Sequence, residues 1–94
     1  METVRRNSAQ LAEQVLDWLI ATPDLLGVFM GATGADAEDL RAPEPAPELL
    51  ASVLDFLMLD DAWVLRFCGE AGVEPTRIAE ARAGLPGGDR PHWT

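Results

Sequence analysis

Few side chains in this sequence are equipped for chemistry. Cys68 is the only cysteine and His92 the only histidine. A thiol beside an imidazole is a nucleophile with its base. Cys68, however, falls on the apolar side of a helical pattern, where a buried and inert thiol is expected. One Cys and one His cannot fill the four positions of a zinc site within one chain. Asp60 and Asp61 are adjacent acids at a helix start, where capping and the helix dipole account for them. No loop has the spacing of a calcium loop. Gly84 to Gly88 follows a helical pattern and contains Pro86, so it reads as a stop signal, not a phosphate cradle. No catalytic, cofactor-binding or metal-binding residue is expected, and no cofactor. Asp17 and Asp55 fall in narrow polar arcs and read as solvated acids or as a paired contact. Trp18, Trp63 and Phe56 read as core. The candidate contact for a partner is the ending, Arg90, His92 and Trp93, which places an aromatic outside any helix.

The elements that must position these residues are all helical. Asn7 or Ser8 is expected to cap a first helix carrying Leu11, Val15, Leu16, Trp18, Leu19 and Ile20 at helical spacing. That apolar arc is wide, as for a helix packed on more than one side. Thr22, Pro23 and Asp24 form a cap, a first-turn proline and a dipole-compatible acid for helix two. Gly34 is placed to end that helix in a left-handed conformation. Asp36 and Asp39 bracket a short helix three, with Leu40 inward. Pro43, Pro45 and Pro47 make a stiff connector, because prolines at this density exclude a helix. Helix four runs from Leu49 to Met58. Helix five carries Trp63, Val64, Leu65, Phe67 and Cys68 and ends at Gly72. Glu74-Pro75 starts helix six, with Ile78 and Leu85 inward. No segment alternates with a period of two, so no strand is expected.

The strongest pattern is internal. A shift of 38 residues overlays Leu11 on Leu49, Val15 on Val53, Leu16 on Leu54, Asp17 on Asp55 and Leu19 on Leu57. It also places Phe29 on Phe67, Gly31 on Gly69 and Gly34 on Gly72, eight identities over the 32 ungapped positions from Leu11 to Ala42. Amphipathic helices share leucines by necessity, but matching glycines at matching helix ends point to duplication. The expected fold is all-α: a bundle of five or six short helices, arranged as two tandem three-helix repeats with pseudo-twofold packing. In domain terms, residues 1–7 are a frayed lead-in, 8–42 the first repeat, 43–47 the connector, 48–85 the second repeat and 86–94 an extended tail.

Charge and length bound the function. Ninety-four residues suit one core. Seven arginines, no lysine and sixteen acids give a net charge of −9. Nucleic acid and anionic membrane surfaces are poor partners for such a chain, whereas a basic protein surface suits it. A helix-turn-helix reading of helices two and three fails on the same ground, because Asp36, Glu38 and Asp39 would face phosphates. No apolar run approaches a bilayer span, and Glu13, Gln14 and Asp17 interrupt any leader, so the cytoplasm is the expected compartment. Abundant Ala, Gly, Pro and Arg with no Lys or Tyr follow GC-rich codons and point to a bacterial genome.

The run Val53-Leu54-Asp55-Phe56-Leu57, the segment Phe67 to Pro75, and the ending Leu85-Pro86-Gly87-Gly88 with Pro91-His92-Trp93 together resemble a family of small, acidic, helical alphaproteobacterial proteins of unknown function. The resemblance covers the chain from about residue 8 onward. It implies a bacterial, cytosolic, all-helical protein and transfers no activity or site. The resemblance also implies that such proteins can be encoded beside two-component response regulators, which bears only on the choice among partners. The expected function is a non-enzymatic protein-interaction module or regulator in bacterial signalling. The alternatives are a structural homodimer resting on the wide arcs of helices one and four, and a small-molecule-binding protein or enzyme with an unrecognised site.

Overall fold

Six helices follow one another, with no strand among the described residues: α1 (Glu2–Ile20), α2 (Pro23–Thr33), α3 (Ala37–Arg41), α4 (Pro47–Leu57), α5 (Asp61–Ala71) and α6 (Thr76–Ala83). The protein is described here by a computed structural model, which gives the backbone of residues 2–85 and the side chains of residues 6–85.

α1 starts earlier than its expected caps. It begins at Glu2, so Asn7 and Ser8 lie inside it. Glu, Val and Arg contain no helix breaker, and an acid at the N-terminal end suits the dipole. Ser8 is buried in the flank of the helix. At the other end Thr22 holds the N-cap position of α2, but its hydroxyl makes no cap. It donates backward to the Trp18 carbonyl at 2.6 Å, while its own carbonyl accepts from Leu25 and Leu26 at 3.0 and 2.9 Å. The hydroxyl thus satisfies a carbonyl left open at the end of α1, and Pro23 supplies the start of α2 without a side-chain cap. The two helices meet at 115°.

The remaining ends follow the expected chemistry. Gly34 and Gly72 close α2 and α5 at φ 77° and 71°, a region that disfavours a side chain, and donate to the Met30 and Cys68 carbonyls. Asp36 and Asp39 form a reciprocal capping box around the start of α3, with bonds of 3.0 and 3.1 Å. Asp60 accepts from the Ala62 amide at 2.8 Å to start α5. Ala42 and Ala46 are extended, at ψ 133° and 143°, as residues before proline must be. The connector is therefore held open on both sides.

Leu11, Val15, Leu16 and Leu19 of α1 join Leu50, Val53, Leu54 and Leu57 of α4 in one buried cluster, closed by Phe29, Phe67 and Ile78. The wide arcs of α1 and α4 are thereby covered within the chain. α1 lies on α4, and α6 fills the angle between them. The Cα radius of gyration is 12.5 Å, close to the ~12 Å of a compact domain of this length.

The 38-residue shift can be compared with the helix bounds. It moves α2, Pro23–Thr33, onto the span of α5, Asp61–Ala71, residue for residue. Trp18 meets Phe67 edge to face at 5.7 Å, and their register mates Phe56 and Phe29 meet edge to face at 5.3 Å, both at 74°. Each contact joins an aromatic of residues 8–42 to one of residues 48–85. The third helices break the pattern. α6 buries Ile78 and Ala81, whereas α3 has five residues and buries none.

Candidate functional site

That shortfall in α3 leaves a gap beside α4. An open groove of about 590 Å³ runs between the end of α2, α3, the proline connector and the first turns of α4. Glu38 and Asp39 of α3, Glu44 of the connector and Glu48 of α4 line it, with half-buried Leu49 and Ser52 on the α4 side. Each carboxylate has a local reason to be where it is. Glu38 and Asp39 occupy the first turn of α3 and Glu48 the first turn of α4, both favoured by the dipole. Pro43 and Pro45 hold Glu44 between them in extended chain. Among the described residues none of these acids is in an ion pair, because the pairs belong to Arg66 and Arg82. No group of three His, Cys, Asp or Glu among the described residues stands close enough to hold a metal ion. The groove is a row of separated negative charges over a partly apolar wall. It matches an extended cationic ligand better than a point charge.

Elsewhere the charges are structural. Arg66 lies over the Trp18 ring at 5.7 Å, with Asp24 at 3.5 Å and Glu70 at 3.9 Å. The Trp18 indole N–H donates to Glu70 at 3.1 Å. This exposed cluster clasps α1, α2 and α5 together, and each pair in it is worth no more than about 1 kcal/mol. Arg82 Nε donates to Asp55 at 2.7 Å, tying α6 to α4. The repeat mates Asp17 and Asp55 are thus unalike: Asp55 is an anchor for Arg82 and Asp17 is an exposed acid. Trp63 stacks on Phe56 at 4.7 Å, as a core-edge aromatic.

Cys68 is buried, and removal from water holds its thiol above the ordinary value of 9.0, which suppresses the reactive thiolate at neutral pH. Arg90, His92 and Trp93 lie outside the described residues, so the structure does not bring the ending to any surface. Smaller clefts lie elsewhere, and no cysteine lines the two described next. One of about 190 Å³ lies between α1 and α6 at Asn7, Ser8 and Arg77. The other, about 370 Å³, has an apolar lining of Met58, Val64, Pro75 and Ile78 beside Asp61.

A family model matches residues 5–88. The chain belongs to the family described as protein of unknown function, DUF3572. The match takes in all six helices except the first residues of α1. No curated protein and no solved structure matches the chain significantly. The DUF3572 description brings no activity and no residue role, so any function rests on the groove and the surfaces around it.

Sequence reasoning placed Asp36 and Asp39 as caps and Pro43 to Pro47 as a connector, but did not join them into one surface. The available signal was the length of α3. Five helical residues cannot cover α4 as the eight of α6 do, so acids at both ends of the connector must share an uncovered groove. No single helix among the described residues is long and apolar enough to cross a bilayer.

Proposed function

We propose that this protein is a non-enzymatic interaction module that captures a basic segment of a protein partner in the α3–α4 groove, as a regulator in bacterial signalling. The observation that supports the reading is the row Glu38, Asp39, Glu44 and Glu48, in no ion pair among the described residues, along an open groove with Leu49 in its wall. A partner strand bearing arginines at successive positions would pair the carboxylates and lay its aliphatic stems on that wall. Such complementarity steers encounter and selects partners more than it adds affinity. The same reading takes the two halves as a duplicated unit whose first copy lost its third-helix packing and gained a binding groove.

Fluorescence anisotropy with a labelled arginine-rich peptide tests this, beside its uncharged citrulline counterpart. Saturable binding is expected for the arginine peptide alone, weakening as salt rises. Glu44→Lys with Glu48→Lys should reduce affinity by up to about thirtyfold, since each exposed pair contributes up to about 1 kcal/mol. Equal binding of both peptides, or an unaffected double variant, would remove the proposal.

A further inference from the structure

A buried hydroxyl without a partner lies where α1 meets α6. Ser8 is 4% exposed and lines the cleft of about 190 Å³ there, with Asn7, Arg77 and Glu80. The hydroxyls of Thr22, Thr33 and Ser52 each donate to the carbonyl four residues back, at 2.6, 2.8 and 3.0 Å. The Ser8 hydroxyl makes no such bond and no other among the described residues. No side-chain oxygen among the described residues is both sealed from solvent and unpaired, so the access that Ser8 retains is through the cleft it lines. A hydroxyl withdrawn from water and left unpaired carries a cost that a ligand in the cleft would remove.

The charges of the cleft are unpaired as well. Arg77 and Glu80 stand three residues apart, on one side of α6. They line the same cleft but form no ion pair with each other or with any described residue. Arg66 and Arg82, by contrast, are held by carboxylates. A neighbouring cleft of about 270 Å³ shares Asn7, Leu11 and Arg77 and adds the carboxamides of Gln10 and Gln14.

We propose that this α1–α6 cleft binds a free α-amino acid with an uncharged polar side chain, of the glutamine class. Its carboxylate pairs with Arg77 and accepts from the Ser8 hydroxyl, and its ammonium pairs with Glu80. Its side-chain carboxamide extends to Asn7, Gln10 and Gln14, whose amides supply matching donors and acceptors. Leu11 and Ala81 meet its methylenes. A plain anion would face Glu80 and a plain cation Arg77, so the paired charges select a zwitterion. Each cleft is smaller than the roughly 300–1,000 Å³ of a drug-sized ligand's pocket, as suits an amino acid. The site shares no residue with the acidic groove.

Amide chemical-shift titration of the labelled full chain with L-glutamine tests the inference. The expected result is saturable shifts, confined to residues from Asn7 to Gln14 and from Val73 to Ala81. N-acetylglutamine lacks the ammonium and leucine the polar side chain, and each should bind at least about fivefold more weakly. Arg77→Gln and Ser8→Ala should each weaken glutamine binding about fivefold, the size of one exposed ion pair or one hydrogen bond, with helix content unchanged by circular dichroism. No saturable shift with glutamine would overturn the proposal. So would equal binding of N-acetylglutamine or leucine, or wild-type affinity in both variants. Glu44→Lys with Glu48→Lys should leave glutamine binding unchanged, so this reading and that of the acidic groove fail separately.

Discussion

The exchanged aromatic contacts lead to a quantitative expectation. Phe67 and Phe29 are 1% and 0% exposed, and each meets the edge of an aromatic from the other half. Replacing either with alanine removes a fully buried ring and leaves a cavity, at about 3–5 kcal/mol. A domain of this size has about 5–15 kcal/mol in total, so each variant loses a large share. At about 4–8 °C per kcal/mol, the melting temperature should fall by roughly 12–40 °C. The sharper expectation concerns the pair. If the two contacts are equivalent, Phe29→Ala and Phe67→Ala cost the same to within about 2 kcal/mol, the spread of like-for-like core truncations. Urea unfolding followed by tryptophan fluorescence measures both, in a sulfate buffer that keeps the weaker variant folded. A cost near zero at Phe67 would show that α5 does not pack as described. Costs differing by more than about 2 kcal/mol, beyond that scatter, would show that the halves are not equivalent.

Two further outcomes follow from single residues. The chain has neither lysine nor tyrosine, so Cys68 is the one side chain that titrates between about pH 9 and 11. Burial raises its pKa in the folded state. The unfolded chain therefore loses the proton first, and stability should fall as pH rises above about 9. Calorimetry of Cys68→Ala should show that slope abolished, and a slope equal to that of the wild type would contradict the burial. Gly72 ends α5 at φ 71° with open space around it. Gly72→Ala should cost about 1 kcal/mol from backbone strain alone, and urea unfolding showing no loss would put the helix end elsewhere.

How far the sequence could be read depended on the range of the interaction. Helix ends are decided by neighbouring residues, so Gly34, Gly72 and the Asp36–Asp39 box were legible. The core faces of α1 and α4 were legible for the same reason, through spacing. Thr22 was misread because its hydroxyl had two local carbonyl and amide options, and only the 115° turn between α1 and α2 decides between them. The start of α1 was misplaced because Asn7 and Ser8 are good caps that also tolerate a helix interior when the preceding residues favour it. The pairs Arg82–Asp55 and Arg66–Asp24 join residues distant in sequence, and nothing local announces them. The groove was illegible for a different reason. It arises from what α3 fails to cover, and an absence of packing leaves no motif.

Binding of a basic segment in the α3–α4 groove is the central proposal. Amide chemical-shift mapping of the labelled full chain during titration with the arginine-rich peptide tests that directly. Shifts concentrated from Thr33 to Ser52, saturating together and absent with the citrulline peptide, are the expected result. Shifts centred on α5 or α6, or none at saturating peptide, would contradict it.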